Sequence, residues 1–205
     1  MISMDIKVAL KILNKDSKMR ELIKEYGFPE FEQKNDYFQS LMRSIVFQQL
    51  SGKVANIIYQ RLINLFPNNK ITPKAVLKLS REDMRQVGLS LQKINYIKNL
   101  ADYFNTNMFD SNKVEKMSNE EISEQLIQIK GVGQWTVDMF LMFTLNRLDV
   151  MPYSDLGIQK GMKILFNLNE LPTKDEMKIL SNQWSPYRTI ACWYIWKIVD
   201  DGFTW

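Results

Sequence analysis

Two glycines one residue apart, Gly131 and Gly133, stand between two stretches of helical periodicity. Ahead of them Ile122, Leu126 and Ile129 recur at spacings of four and three; behind them Val137, Phe140, Leu141 and Thr144 repeat in the same way. The pattern reads as helix, tight glycine turn, helix. Gly131 can adopt a positive φ that ends the first helix, and Gly133 lets another backbone approach closely. The amides of Gly133, Gln134 and Trp135 then point outward from the start of the second helix. Orphan N–H groups and the positive end of the helix dipole attract an anion there. A DNA phosphate is the natural ligand, because a glycine turn grips backbone without reading bases. The alternative is a bare αα-corner whose glycines only turn the chain. Farther on, Tyr153-Ser-Asp155-Leu-Gly157 sets an aspartate at the start of another helical pattern. By residue type Asp155 is a helix N-cap, a carboxylate held still by helix amides. Trp135 and Trp196 are core packing by the ordinary preference of tryptophan, or electron-rich faces for a cation.

Composition narrows the chemistry. The chain has 205 residues, 45% hydrophobic, with 8 glycines and 6 prolines, which favours helices joined by short loops over a turn-rich β-sandwich. The net charge of +4 permits nucleic-acid binding without demanding it. A single cysteine, Cys192, excludes a disulfide framework and a cysteine-ligated iron–sulfur cluster. With no histidine there is no Ser-His-Asp triad and no imidazole base. Every apolar run is interrupted before membrane-spanning length, and the N-terminus has no apolar signal core. The expectation is a cytoplasmic protein, monomeric, with no membrane partner.

The elements that must position these residues are helical throughout, and no strand pattern of useful length appears. Ile6 to Tyr26 is one helix, or two broken near Asp16-Ser17, ending at Gly27. Phe31 to Asn35 reads as a loop. Asp36 caps a helix with a buried stripe of Phe38, Leu41, Met42, Ile45 and Val46. A second helix turns Val54, Ala55, Ile58, Leu62 and Leu65 inward and stops at Pro67. Between the two lies Gln48-Gln49-Leu50-Ser51, a polar break that reads as a turn capped by Ser51. Val87-Gly88-Leu89-Ser90 is a weaker echo of the glycine hairpin and reads as structural. Ser118 with Glu121, and Thr173 with Glu176, form capping boxes. The last helix runs from Tyr187 to Val199, with Asp200 to Trp205 as a loosely docked tail.

Taken together, Ile127 to Thr136, the aspartate one helix downstream, and the Gln-Gln-Leu-Ser break resemble the helix-hairpin-helix DNA glycosylase superfamily. Within it the chain looks most like the AlkA-type branch, over roughly Asp36 to Val199. The resemblance implies an all-α fold of two helical lobes flanking a DNA-binding cleft. The lobes are expected at about 36–115 and at 1–35 plus 116–205, with no room for the N-terminal β domain that some members of the branch carry. It implies a monofunctional glycosylase that flips alkylated purines of the 3-methyladenine and 7-methylguanine class from duplex DNA. Asp155 then stabilises the sugar cation formed as the N-glycosidic bond breaks. Alternatives of the same motifs are a glycosylase for a deaminated or oxidised base, and a non-catalytic hairpin module that only holds DNA.

The resemblance also assigns residues. Leu50 matches the leucine wedge that fills the gap left by an extruded nucleotide; Gln49 and Ser51 flank it. Gly131, Gly133, Gln134 and Thr136 belong to the phosphate grip. Trp135, Met139 and Trp196 fall at pocket positions, where rings hold a cationic base; Met139 departs from a tyrosine that the branch can carry. Trp135 also stands where bifunctional relatives place a Schiff-base lysine, so strand cleavage is not expected. No cofactor is required. The family's hairpin can hold a sodium or potassium ion on main-chain carbonyls, here those of Ile127, Ile129 and Val132.

Overall fold

A computed structural model describes residues 2–31, 36–106, 109 and 111–199, and among them only helices and turns occur. Of the loop expected at 31–35, residues 32–35 lie outside the described residues, as does the tail 200–205. The chain divides into two compact units, 34–145 and 1–33 with 146–205.

The terminal unit contains α1 (Ile2–Leu13), α2 (Ser17–Tyr26), α11 (Leu156–Phe166), α12 (Lys174–Ser181) and α13 (Arg188–Val199). The N-terminal stretch is two helices rather than one. Asp16 accepts the Lys18 amide at 2.9 Å as N-cap and also the Trp184 indole N–H at 2.9 Å, which fixes the break. α13 carries Ile190, Ala191, Tyr194, Ile195 and Trp196, all buried, so it is apolar nearly all round and forms the centre of the unit. Burial pushes the Tyr194 phenol up, and its hydroxyl donates to the Gly27 carbonyl at 2.6 Å. α11 lies against α13 at a separation only glycine allows. A Cβ on Gly161 would run into Ile195 Cγ2 and sit 2.6 Å from the Ile195 carbonyl oxygen.

The central unit contains α3 (Tyr37–Phe47), α4 (Gly52–Ile63), α5 (Pro73–Lys78), α6 (Arg81–Gln86), α7 (Leu91–Thr106), α8 (Ser111–Val114), α9 (Asn119–Ile127) and α10 (Gln134–Phe143). Asp36, Thr72, Ser80 and Ser118 each cap a helix with their side chains, and Ser118 with Glu121 closes the expected capping box. α3 packs on α4, α7 and α10. That packing corrects the expected lobe boundary: residues 116–145 go with the central unit, because apolar α10 is buried against α3. Two smaller expectations also change. α4 ends at Ile63, short of Pro67, and Val54 on its first turn is 45% exposed rather than inward.

Candidate functional site

In the terminal unit, Asp155 is the N-cap of α11. Its Oδ1 accepts the Ile158 amide at 2.8 Å and the Trp196 indole N–H at 2.9 Å. One bond comes from its own helix and one from α13, so the carboxylate cannot rotate without losing a partner. Asp155 is buried, only 9% exposed. Gly157 makes this corner possible: a Cβ there would lie 3.0 Å from Asp155 Oδ1 and 3.0 Å from Trp196 Cδ1. Trp196, expected as a pocket ring, is itself buried, and its N–H serves the aspartate.

The stretch of chain leading to Asp155 is held by the other end of α13. The Thr189 hydroxyl donates to the Arg147 carbonyl at 2.6 Å and accepts the Val150 amide at 3.1 Å. Arg188 grips Asp149 with two parallel bonds, Nε to Oδ1 at 2.6 Å and an Nη to Oδ2 at 2.7 Å. Burial alone would raise the Asp149 carboxyl, but Arg188 and the Ser185 hydroxyl outweigh it and hold it below its usual value. Sequence reading quoted Gly157 without its packing role and missed Gly161, Asp149, Arg188 and Thr189. Two glycines four apart on one helix, Gly157 and Gly161, were the available signal for close helix contact.

In the central unit, the hairpin between α9 and α10 has the expected turn. Gly131 takes φ +106°, and its missing Cβ makes room for the Tyr96 ring, which a side chain there would strike. Gly133 is the N-cap of α10, exposed, with open space where a Cβ would go. The first bond inside α10 runs from the Val137 amide to the Gly133 carbonyl, so the amides of residues 134–136 come ahead of it, at the positive end of the helix. The Gln134 side chain is tied inward, accepting from Ser123 Oγ at 3.0 Å and donating to Asp138 at 2.8 Å; any grip from Gln134 is therefore through its amide.

Two expected site residues have buried side chains. Thr136 is 1% exposed, and its hydroxyl accepts from Gln48 Nε2 at 2.9 Å, so its side chain offers DNA no surface. Met139 is 1% exposed, a core side chain of apolar α10 rather than a pocket wall. Trp135 is half-buried on the first turn of α10. The break between α3 and α4 is a tight turn with Gln49 in the left-handed region at φ +56° and Leu50 39% exposed. Ser51 is the N-cap of α4, without the side-chain bond expected of it. Gln48, on the same turn, also donates to the Gly131 carbonyl at 3.0 Å, which joins the turn to the hairpin.

Of the carbonyls expected to hold a monovalent ion, that of Ile129 accepts the Val132 amide at 2.9 Å. No group of three or more His, Cys, Asp or Glu suited to a metal occurs among the described residues, so a resident ion at the hairpin would rest on neutral carbonyl oxygens. No helix among the described residues is long and apolar enough to cross a membrane.

A glycine hairpin opening a helix, followed one helix later by a buried aspartate fixed at a helix N-terminus, is the pattern of a helix-hairpin-helix protein. The family model described as HhH-GPD superfamily base excision DNA repair protein matches residues 42–186. The chain belongs to that superfamily. It is 38% identical over 179 residues to DNA-3-methyladenine glycosylase 1 of Schizosaccharomyces pombe, covering 86% of this chain and 78% of the relative. The solved structure of 3-methyladenine DNA glycosylase (Mag1) from the same yeast, in complex with abasic DNA, superposes with a TM-score of 0.88 at 35% identity. That match covers 97% of this chain and all of the other. A DNA-3-methyladenine glycosidase structure from Bacillus halodurans gives 0.75 at 38% identity, covering 91% and 86%.

Proposed function

We propose that this protein is a monofunctional DNA glycosylase that removes alkylated purines, of the 3-methyladenine and 7-methylguanine class, from duplex DNA during base excision repair. The observation that carries the reading is the Asp155 carboxylate, held by the Ile158 amide and the Trp196 indole. A module that only holds DNA has no use for a buried acid fixed from two helices. The substrate class rests on the relatives that are named for 3-methyladenine.

The mechanism follows from charge. As the N-glycosidic bond stretches, positive charge grows on the sugar. A preorganised carboxylate beside it lowers the barrier without reorganising at the moment of reaction. Alkylated purines are already cationic leaving groups, so a chain without histidine is at no disadvantage. The exposed hairpin amides grip the phosphate backbone, and Leu50 enters the stack where the base has left it. The main-chain carbonyls of Ile127, Ile129 and Val132 would hold a monovalent cation, which would supply positive charge at the hairpin. With Trp135 in place of an amine nucleophile, the product is an intact abasic strand.

The test is base release from methylated DNA beside duplexes carrying hypoxanthine, uracil or 8-oxoguanine. Methylated purines should be released and Asp155→Asn should abolish most of that release, with binding to the damaged duplex within a few fold. Preferential release of one of the other bases would move the substrate assignment, and an active Asp155→Asn variant would remove the mechanism.

A further inference from the structure

The turn that carries Leu50 is held in an unfavourable backbone conformation by hydrogen bonds that tie it to α7 and to the hairpin. Gln49 lies at φ +56°, a left-handed conformation that costs a non-glycine residue free energy. Such a residue persists where its surroundings over-determine it. Two side chains do so here. Lys93, half-buried on α7, donates its ammonium to the Val46 carbonyl at 2.6 Å and to the Gln48 carbonyl at 2.8 Å. The second of these is the carbonyl of the peptide bond into Gln49. Gln48 sends its amide the other way, to the Gly131 carbonyl at 3.0 Å and the Thr136 hydroxyl at 2.9 Å. Burial draws the pKa of the Lys93 ammonium down, and carbonyl oxygens are what hold it in place.

We propose that Lys93 and Gln48 are positioning residues that lock the Gln49-Leu50 turn and fasten it to the Gly131–Thr136 hairpin, so that turn and hairpin meet duplex DNA as one preformed surface. The proposal rests on the reading of this turn as the segment that enters the stack. The physical reason is entropic. A wedge on a loose loop must be ordered as it enters the duplex, and that ordering is subtracted from binding. Lys93 holds the α3 end of the turn, and Gln48 sets its distance from the phosphate grip. Neither needs to touch DNA to have this effect.

The experiment compares excision of 7-methylguanine from a duplex and from a single strand of the same sequence, for Lys93→Met, Gln48→Met, Leu50→Ala and the two double variants with Leu50→Ala. A single strand has no stack to refill. Lys93→Met and Gln48→Met should each raise the duplex KM about tenfold, leave kcat within twofold, and leave single-strand excision within twofold. Added to Leu50→Ala, each should have little further effect, because a wedge that is absent cannot be mispositioned. Lys93→Arg, which keeps the cation, should recover part of the loss. Hydrogen exchange of the amides at 49–51 should speed up in Lys93→Met and not elsewhere in the unit. If Lys93→Met proves too unstable to assay, Gln48→Met alone decides, since it leaves the Lys93 bonds to the Val46 and Gln48 carbonyls in place.

A uniform loss on both substrates, or full additivity with Leu50→Ala, would overturn the proposal and make Lys93 an ordinary fold residue. If Leu50→Ala shows no duplex-specific defect while Lys93→Met does, the leucine wedge fails but the clamped turn stands. If Leu50→Ala shows the defect and Lys93→Met and Gln48→Met do not, the wedge stands and the clamp fails.

Discussion

The Trp196 indole donates to the Asp155 carboxylate at 2.9 Å, between two residues 41 positions apart in the sequence. The bond joins the two properties that a carboxylate needs to stabilise a sugar cation: a fixed direction and a low cost of reorganisation. It also gives Trp196 a role beyond that of an aromatic ring. Trp196→Phe keeps most of the aromatic bulk and removes the donor. A hydrogen bond to a charged group is worth about 1.5–3 kcal/mol, so excision should fall roughly 10- to 100-fold. Single-turnover base release measures this. Affinity for undamaged DNA should not change, and an unchanged release rate would mean that the Ile158 amide alone suffices.

The glycines of α11 should separate stability from activity. Gly161→Ala improves helix propensity by about 1 kcal/mol. Against that, its methyl would meet the Ile195 carbonyl oxygen at 2.6 Å, and backbone gives way poorly. Overpacking of this kind costs about 1–3 kcal/mol, so thermal unfolding should show a net loss. At Gly157 the nearest atoms are Asp155 Oδ1 and Trp196 Cδ1, each at 3.0 Å, and both belong to side chains. Gly157→Ala should therefore be tolerated better by the fold and worse by the chemistry. A Gly157→Ala variant with full activity would show that the carboxylate has slack.

What could be read from sequence, and what could not, follows from the range of each interaction. Asp36, Ser118 and Thr173 cap helices within three residues, so residue type and spacing reveal them. The turn at Gly131 is legible because its conformation is local. Asp155 was legible as an N-cap from residue type, and its proposed role in the chemistry rests on the order of motifs. The Arg188–Asp149 pair spans 39 residues and the Gly161–Ile195 contact 34; no periodicity announces either. The burial of the Thr136 and Met139 side chains was hidden for a different reason. On a helix as apolar as α10 the hydrophobic pattern does not say which side faces out, and both side chains point inward. The exposed Leu50, by contrast, breaks the usual preference for burying leucine, as an apolar wedge would.

The Asp149–Arg188 pair gives the terminal unit a pH dependence with a defined sign. The folded-state carboxyl lies below its ordinary value of 3.8. A depressed acid contributes stability that is fully present above the unfolded value and lost as pH falls through the folded one. Asp149→Asn should therefore destabilise the protein near neutral pH, by on the order of 1 kcal/mol for a pair that is partly solvated. The difference from wild type should shrink below the ordinary carboxylate value. Denaturant unfolding of both proteins across acid pH checks this. A gap that widens on acidification would mean that Arg188, left without its partner, is not the main consequence of the substitution.

The two hairpin glycines should fail in different ways. Gly131 is bound by its own backbone: φ +106° is left-handed territory, and a methyl would collide with Tyr96. Gly131→Ala should cost stability first, and DNA affinity only as a consequence. Gly133 has an extended backbone at φ −105°, which any residue adopts, and open space around its missing Cβ. The fold does not require glycine there; the proposed phosphate contact does. Gly133→Asp should leave thermal unfolding near that of wild type while weakening damaged and undamaged duplexes alike, because binding through phosphates carries no base information. It should also flatten the dependence of log affinity on log salt by about 0.9 for each phosphate that the protein no longer neutralises. Fluorescence anisotropy over a range of salt concentrations, on paired lesion and control duplexes, reads both effects. A defect confined to the lesion duplex would place Gly133 at the flipped base instead of at the backbone.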